Sequence, residues 1–163
     1  MSLIVPGSDE AVVVRSADAE AIGRAPTTVR LLADSSATGG ALSAQRVTLA
    51  GGVGGATPRH HERSAEMFHA LDGAPEFLAG EEAVTAGQGD LDVVPPRMPH
   101  ASPPPPAATP ICSSSSQPGV ERFEYLRHLQ RIALGEPSPE SLLEVRERCD
   151  NHFLNSAVRE KRH

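Results

Sequence analysis

Residues 58–73 read Pro58-Arg59-His60-His61-Glu62-Arg63-Ser64-Ala65-Glu66-Met67-Phe68-His69-Ala70-Leu71-Asp72-Gly73. Two short runs, Pro58 to His61 and Glu66 to Leu71, are joined by a polar step, and Asp72-Gly73 closes the second with a turn signal. The texture continues downstream: Pro75 to Ala79, Glu82 to Thr85 and Asp90 to Val94 follow, punctuated by Gly80, Gly87-Gln88-Gly89 and Pro95-Pro96. Strands this closely spaced, with tight turns and no helix-period stretch between them, predict an all-β antiparallel sandwich or barrel. Alternate strand residues share a face. Glu66, Phe68 and Ala70 therefore line one side of their strand and His69 the other, while Arg59 and His61 point together, away from His60.

Working outward, Thr27 to Leu32 and Ala41 to Ala50 read as two strands of a hairpin or long β turn, joined across Asp34 to Gly40, whose glycines accept the positive φ of a reversal. Residues 1–26 form an N-terminal arm that Pro26 ends, and residues 27–117 form the β unit. From residue 118 the pattern changes. Phe123, Leu126, Leu129 and Ala133 fall on one face at ~100° per residue, and Gly135 is placed to stop that helix. A second helix is expected from an N-cap at Ser138, with Pro139 in its first turn and Leu142, Val145, Cys149 and Phe153 along one face. The helical pair spans 118–156, His128 and His152 are read as solvated within it, and 157–163 is a frayed tail.

Composition narrows the function classes. The chain of 163 residues carries 15 Pro, 14 Gly, 4 Phe, 1 Tyr and no Trp, which suits turn-rich β structure. At this length roughly 70% of the unfolded surface can be buried in one core. A formal charge of −6, from 15 basic and 21 acidic residues, lacks the basic stripe that phosphate neutralisation needs and argues against nucleic acid. No apolar run approaches the ~20 residues of a membrane span, and the start, Met1-Ser2-Leu3-Ile4-Val5-Pro6, is short for a signal sequence, so a cytoplasmic protein is expected. Cys112 and Cys149 form neither a CxxC pair nor a disulfide framework. Gly51 to Gly55 lacks the strand-to-helix context of a phosphate loop.

The chemistry-bearing residues are His60, His61, Glu66 and His100, imidazoles and a carboxylate on neighbouring strands that can converge on one interior point, as a divalent transition metal requires. His61 is followed by four residues and Glu66, then by six and Gly73; Gly89 is followed by five and Pro95, and His100 lies five beyond that proline. In these spacings residues 30–100 resemble the cupin superfamily. The phrases "SAEMFHALDG" and "GDLDVVPPRMPHA" look like small single-domain bacterial cupins of the type-2, quercetin-dioxygenase-like kind, with a C-terminal helical pair. The resemblance implies a jelly-roll barrel of six to eight strands with two C-terminal helices. It also implies a bound divalent metal (Fe, Mn, Ni or Zn), a small-molecule ligand or substrate and a possible homodimer.

Three positions depart from the cupin pattern: Arg59 stands at the first histidine, Arg97 at a turn glycine, and the closing asparagine of the second motif is missing. Either a bulge brings His60 in as a fourth ligand, or His61, Glu66 and His100 act alone with Arg59 nearby, where it could pair with Glu66 and compete with the cation. Arg97 fits if its turn needs no positive φ. Arg59, Phe68 and Arg97 are expected in the pocket, Phe68 doubling as core. Two functions follow: a metal-dependent enzyme of dioxygenase-like or isomerase-like chemistry, or a non-catalytic binder in which the guanidinium groups hold an anionic ligand.

Residues 102–117 stand apart. Four consecutive prolines, Pro103 to Pro106, cannot donate to a ladder, and Ser113-Ser114-Ser115-Ser116 is a polar run where a closing strand belongs. The segment reads either as a Pro/Ser-rich loop or as a strand encoded one base out of frame, in which serine codons become a hydrophobic run. Read in its given frame, it implies a barrel with an open or strand-depleted edge and reduced stability.

Overall fold

The computed structural model describes residues 11–49, 56–102, 110–136, 141–146 and 148–154. Two antiparallel sheets carry the fold. The first, of six strands, runs in the order β1 (Ala21–Arg24), β2 (Thr27–Ala33), β3 (Ser43–Thr48), β10 (Ile111–Gln117), β5 (Ala65–Asp72) and β8 (Leu91–Val94). The second, of five strands, runs β11 (His152–Phe153), β4 (Ala56–His60), β9 (His100–Ser102), β6 (Glu76–Ala79) and β7 (Glu82–Thr85). Helices α1 (Phe123–Ala133) and α2 (Leu142–Arg146) follow β10. Among the described residues no helix is long and apolar enough to cross a membrane.

The faces expected from alternation become the core. Phe68 and Ala70 of β5, Phe77 of β6, Val94 of β8 and Cys112 of β10 pack together with Ala86, and the Phe68 and Phe77 rings stack across the two sheets with centroids 4.6 Å apart. A second cluster lies under the helices, where Tyr125, Val145 and Cys149 are buried against Leu126, Leu129, Leu142 and Phe153.

Four expectations need correction. The arm does not end at residue 26, because Ala21–Arg24 is already a strand, paired to β2 from Ala21↔Arg30 to Arg24↔Thr27. The second correction concerns residues 102–117. The prolines 103–106 lie outside the described residues, but Ile111–Gln117 is a strand, and it sits between β3 and β5 in the middle of the larger sheet. The sheet is not depleted there. Serine tolerates a buried strand because its hydroxyl can be bonded, and here the bonds exist, as described below.

The third correction is at the C-terminus. Helix α2 ends at Arg146, Asp150 turns the chain with φ +51°, and His152–Phe153 pairs with His60 and Arg59 on the edge of β4. The periodic spacing of Cys149 and Phe153 is overridden by bonds that a continuous helix could not make; the proposed cap at Ser138 lies outside the described residues. Fourth, α1 is rolled so that Tyr125 and His128 are its buried residues while Ala133 is exposed. His128, expected in solvent, contacts the Ser141 hydroxyl at 2.6 Å and the Arg131 guanidinium at 2.9 Å.

The turn after β5 ties the first motif to β10. Gly73 has φ +71°, and an added Cβ would stand 3.1 Å from the Cα of Pro110, the residue that leads into β10. Strain and crowding act together, so Gly73→Ala is expected to destabilise the fold by about 1–2 kcal/mol in denaturant melts. A variant as stable as the parent would contradict this reading of the turn.

Candidate metal centre

Three elements deliver three side chains to one point. Glu66 is the second residue of β5 and faces the interior; His61 follows the end of β4; His100 opens β9, paired opposite Arg59. All three are buried, at 2%, 1% and 3% exposure for His61, Glu66 and His100. His61 Nε2 lies 2.7 Å and His100 Nε2 2.9 Å from the same oxygen, Glu66 Oε2. One ligand atom from each residue lies within 4.8 Å of the others.

The other nitrogen of each imidazole faces a backbone carbonyl: His61 Nδ1 is 2.6 Å from the Asp150 oxygen, and His100 Nδ1 is 3.0 Å from the Met98 oxygen. A carbonyl only accepts, so each Nδ1 carries a proton and donates it. In the neutral ring, Nε2 then presents a lone pair to the Glu66 carboxylate. Burial pushes the His61 pKa down despite the contact with Glu66, which favours that neutral ring. Two nitrogen lone pairs converging on an anionic oxygen repel unless a positive centre lies among them. The donor set therefore fits a divalent cation: two oriented imidazoles and a carboxylate, with protons directed away from the site.

The second carboxylate oxygen is held from the opposite side. Ser114 Oγ donates to Glu66 Oε1 at 2.8 Å and accepts from Gln45 Nε2 at 3.3 Å. Arg59 Nη2 lies 3.5 Å from Glu66 Oε2. Burial by itself would raise the Glu66 pKa, but the Arg59 charge and, behind it, the Arg122 charge favour the carboxylate, and the group lies well below the ordinary carboxylate range.

The remaining candidates divide. His60 does not join the group: its ring stacks on His152 with centroids 5.2 Å apart, and its Nε2 contacts Glu62 at 2.8 Å. The register shift of β4 between Ala56 and Arg59 does not turn it inward, because β11 pairs His152 with His60 and engages its ring outside the site. Arg59 and Phe68 line the cavity, whereas Arg97 does not. Arg97 is exposed and adopts φ +69° with its N–H bonded to the His61 carbonyl at 2.6 Å, so the turn does require the left-handed backbone that glycine would provide.

Five contributors escaped the sequence reading. Gln45 and Ser114 line the cavity beside Glu66, and Ser116 is buried on the same strand as Ser114. Arg122, just before α1, is 2% exposed and gives Nη2 to Ser116 Oγ at 3.2 Å. Asp150 locks the loop between the two ligands of the first motif: its carboxylate accepts the backbone N–H groups of Glu62, Arg63 and Ser64 at 3.0, 3.0 and 3.2 Å. Burial raises its pKa, and the Arg63 and Glu62 N–H bonds outweigh that and lower it. A signal existed for Asp150, an acidic residue amid a run read as helical, but nothing local indicates its partners.

A cavity of about 420 Å³ opens beside Glu66, the member of the triad that lines it. Its polar end is built from Glu66, Gln45, Ser114, Arg59 and Arg122, and its apolar wall includes Leu126, Leu129, Leu142 and Phe153. Cys112 also faces it, but burial followed by the Glu66 charge pushes that thiol up to about 11, so it is not a thiolate nucleophile.

Residues 45–102 match the family model described as Cupin domain. That stretch contains all three residues of the buried group and the loop between them. Among solved structures, the chain is similar to a protein described as a predicted oxalate decarboxylase from Thermotoga maritima, at TM-score 0.57 and 18% identity over 65% of this chain and 98% of that one. It is also similar to an RmlC-like cupin from Shewanella frigidimarina, at TM-score 0.55 and 18% identity over 70% and 96% of the two chains. A third is KdgF from Halomonas sp., at TM-score 0.54 and 19% identity over 66% and 94%. These likenesses establish a cupin-like fold. No curated protein sequence matches the chain.

Two outcomes test this geometry. Replacing Ser114 with Val leaves Glu66 Oε1 without its hydroxyl donor and Gln45 Nε2 without its acceptor, so S114V is expected to cost about 1–3 kcal/mol of stability in urea melts. A hydrophobic residue of the kind an out-of-frame strand would supply should therefore weaken the fold. The second concerns pH. The folded pKa of His61 lies below the unfolded value of ~6.5, so below that pH the unfolded chain takes up a proton that the fold resists, and stability falls. Glu66 acts in a lower window: with its pKa depressed, its contribution holds above ~4.3 and is lost only as pH falls through the folded value. Metal-free protein should thus melt at lower temperature as pH drops from about 7.5 to about 5.5, with a shallower slope in His61→Gln. Equal slopes in the two proteins would contradict it.

Proposed function

We propose that this chain is a cupin that holds one divalent transition metal through His61, Glu66 and His100 and acts on a small organic molecule in the cavity beside it. The observation that carries the reading is the convergence of two Nε2 atoms on Glu66 Oε2 while both Nδ1 protons are committed to backbone carbonyls. When bound, such an ion supplies Lewis acidity and open coordination positions, the requirement of dioxygenase-like and isomerase-like reactions alike.

The chain's own groups do the rest. The carbonyls of Asp150 and Met98 hold the imidazoles in one tautomer and orientation. Ser114 fixes the Glu66 carboxylate by its far oxygen, leaving Oε2 towards the imidazoles. The apolar wall along α1 and α2 excludes water from the bound molecule and strengthens each polar contact.

A second reading has a specific observation behind it: Arg59 occupies the place of a first histidine and already pairs with Glu66. In that reading the guanidinium has replaced the cation and the chain binds a small molecule without turnover. Elemental analysis of purified protein, after reconstitution with Fe, Mn, Ni or Zn, separates the two. Near-stoichiometric metal that drops at least tenfold in His100→Ala supports the metal reading. Protein that retains no metal from any of the four ions supports the second and sinks the first.

A further inference from the structure

The cavity holds more positive charge than its own residues neutralise. Arg122 is 2% exposed, yet among the described residues its guanidinium has one hydrogen-bond partner, the neutral Ser116 hydroxyl at 3.2 Å, and no carboxylate within ion-pair distance. Its buried Nε has no partner among those residues. Arg59, 13% exposed at its side chain, shares the cavity and, among the described residues, pairs with Glu66 alone, at 3.5 Å. One carboxylate thus serves two guanidinium groups. A buried charge left in this state is costly unless an anion arrives to complete it.

The need grows when Glu66 is committed to a cation, for then neither arginine keeps its counter-charge. Beyond the polar end, where Glu66, Gln45 and Ser114 accompany the two arginines, the cavity is largely apolar, walled by Leu126 and Leu129 of α1, Leu142 of α2 and Phe153 of β11. The site is therefore amphipathic, cationic at one end and hydrocarbon-like along its length.

We propose that the small molecule taken by this cavity is an organic carboxylate, its carboxylate group held by Arg122 with Arg59 and its apolar body laid against Leu126, Leu129, Leu142 and Phe153. This rests on the small-molecule reading above and names the ligand class. Arginine suits the task because its planar donor fork matches the two oxygens of a carboxylate, while a neutral amide of the same shape offers one acceptor and no charge. Arg122 is the specificity-determining residue. It contributes no ligand to the metal, so its loss should leave metal content unchanged.

The probe is benzoate, with benzamide as its neutral counterpart, titrated calorimetrically into the full chain in metal-loaded and chelator-treated forms. Benzoate should bind the metal-loaded protein at least about tenfold more tightly than benzamide, and that preference should fall about tenfold in Arg122→Gln at unchanged metal content. Arg59→Gln, at a more accessible position, is the second variant and should lose about threefold to tenfold, so a failure of Arg122→Gln to fold does not shelter the proposal. Equal binding of benzoate and benzamide would overturn it, as would no benzoate binding. So would a benzoate affinity that vanishes on chelation yet is indifferent to both arginines, since the carboxylate would then sit on the metal. The two readings fail separately. Metal-free protein that still prefers benzoate removes the metal and keeps the carboxylate site, whereas metal-loaded protein without that preference does the reverse.

Discussion

A carboxylate at 1% exposure, Glu66, organises this molecule. An ion taken out of water is tolerated only where opposite charge and hydrogen-bond donors surround it. Around Glu66 each side is supplied by a different part of the chain: imidazoles from the end of β4 and the start of β9, a hydroxyl from β10, a guanidinium from β4 and the more distant charge of Arg122 before α1. The same carboxylate ties the two sheets together and defines the polar end of the cavity.

The inner face of the larger sheet is graded to suit it. Reading across β3, β10 and β5, one row is Ser43, Ser116 and Glu66, the next Gln45, Ser114 and Phe68, the next Val47, Cys112 and Ala70. Polarity falls off within three rows, from the buried ion to the core. The serine run of β10 belongs to this gradient: Ser114 and Ser116 put hydroxyls where a charged carboxylate and a charged guanidinium need partners. A uniformly apolar strand would pack as well but would leave both charges without those bonds.

The C-terminal segment serves the site from outside. Asp150 gathers three consecutive N–H groups of the 62–64 loop on its carboxylate and aligns His61 through its carbonyl, so one residue positions the loop and orients the ligand. The short strand β11 caps the edge of β4 and draws His60 onto His152, which settles the outward fate of a histidine adjacent to a ligand. Helices α1 and α2 then wall the cavity rather than merely pack on the outside of the β unit.

The sequence carries the strand texture and the inward face of Glu66, Phe68 and Ala70, and through the resemblance of its motif spacings to the cupin pattern it groups His61, Glu66 and His100. It could do so because strand alternation and motif spacing are local, and each face follows from counting by two. Long-range packing, by contrast, makes the serines a central strand, puts Arg97 in a left-handed turn, takes residues 149–153 out of the helix and buries Arg122 in the cavity. These outcomes hang on partners elsewhere in the chain, such as Ser116 for Arg122, Glu62 for Asp150 and Arg59 for Phe153, and no local period encodes which distant group will satisfy a buried polar atom.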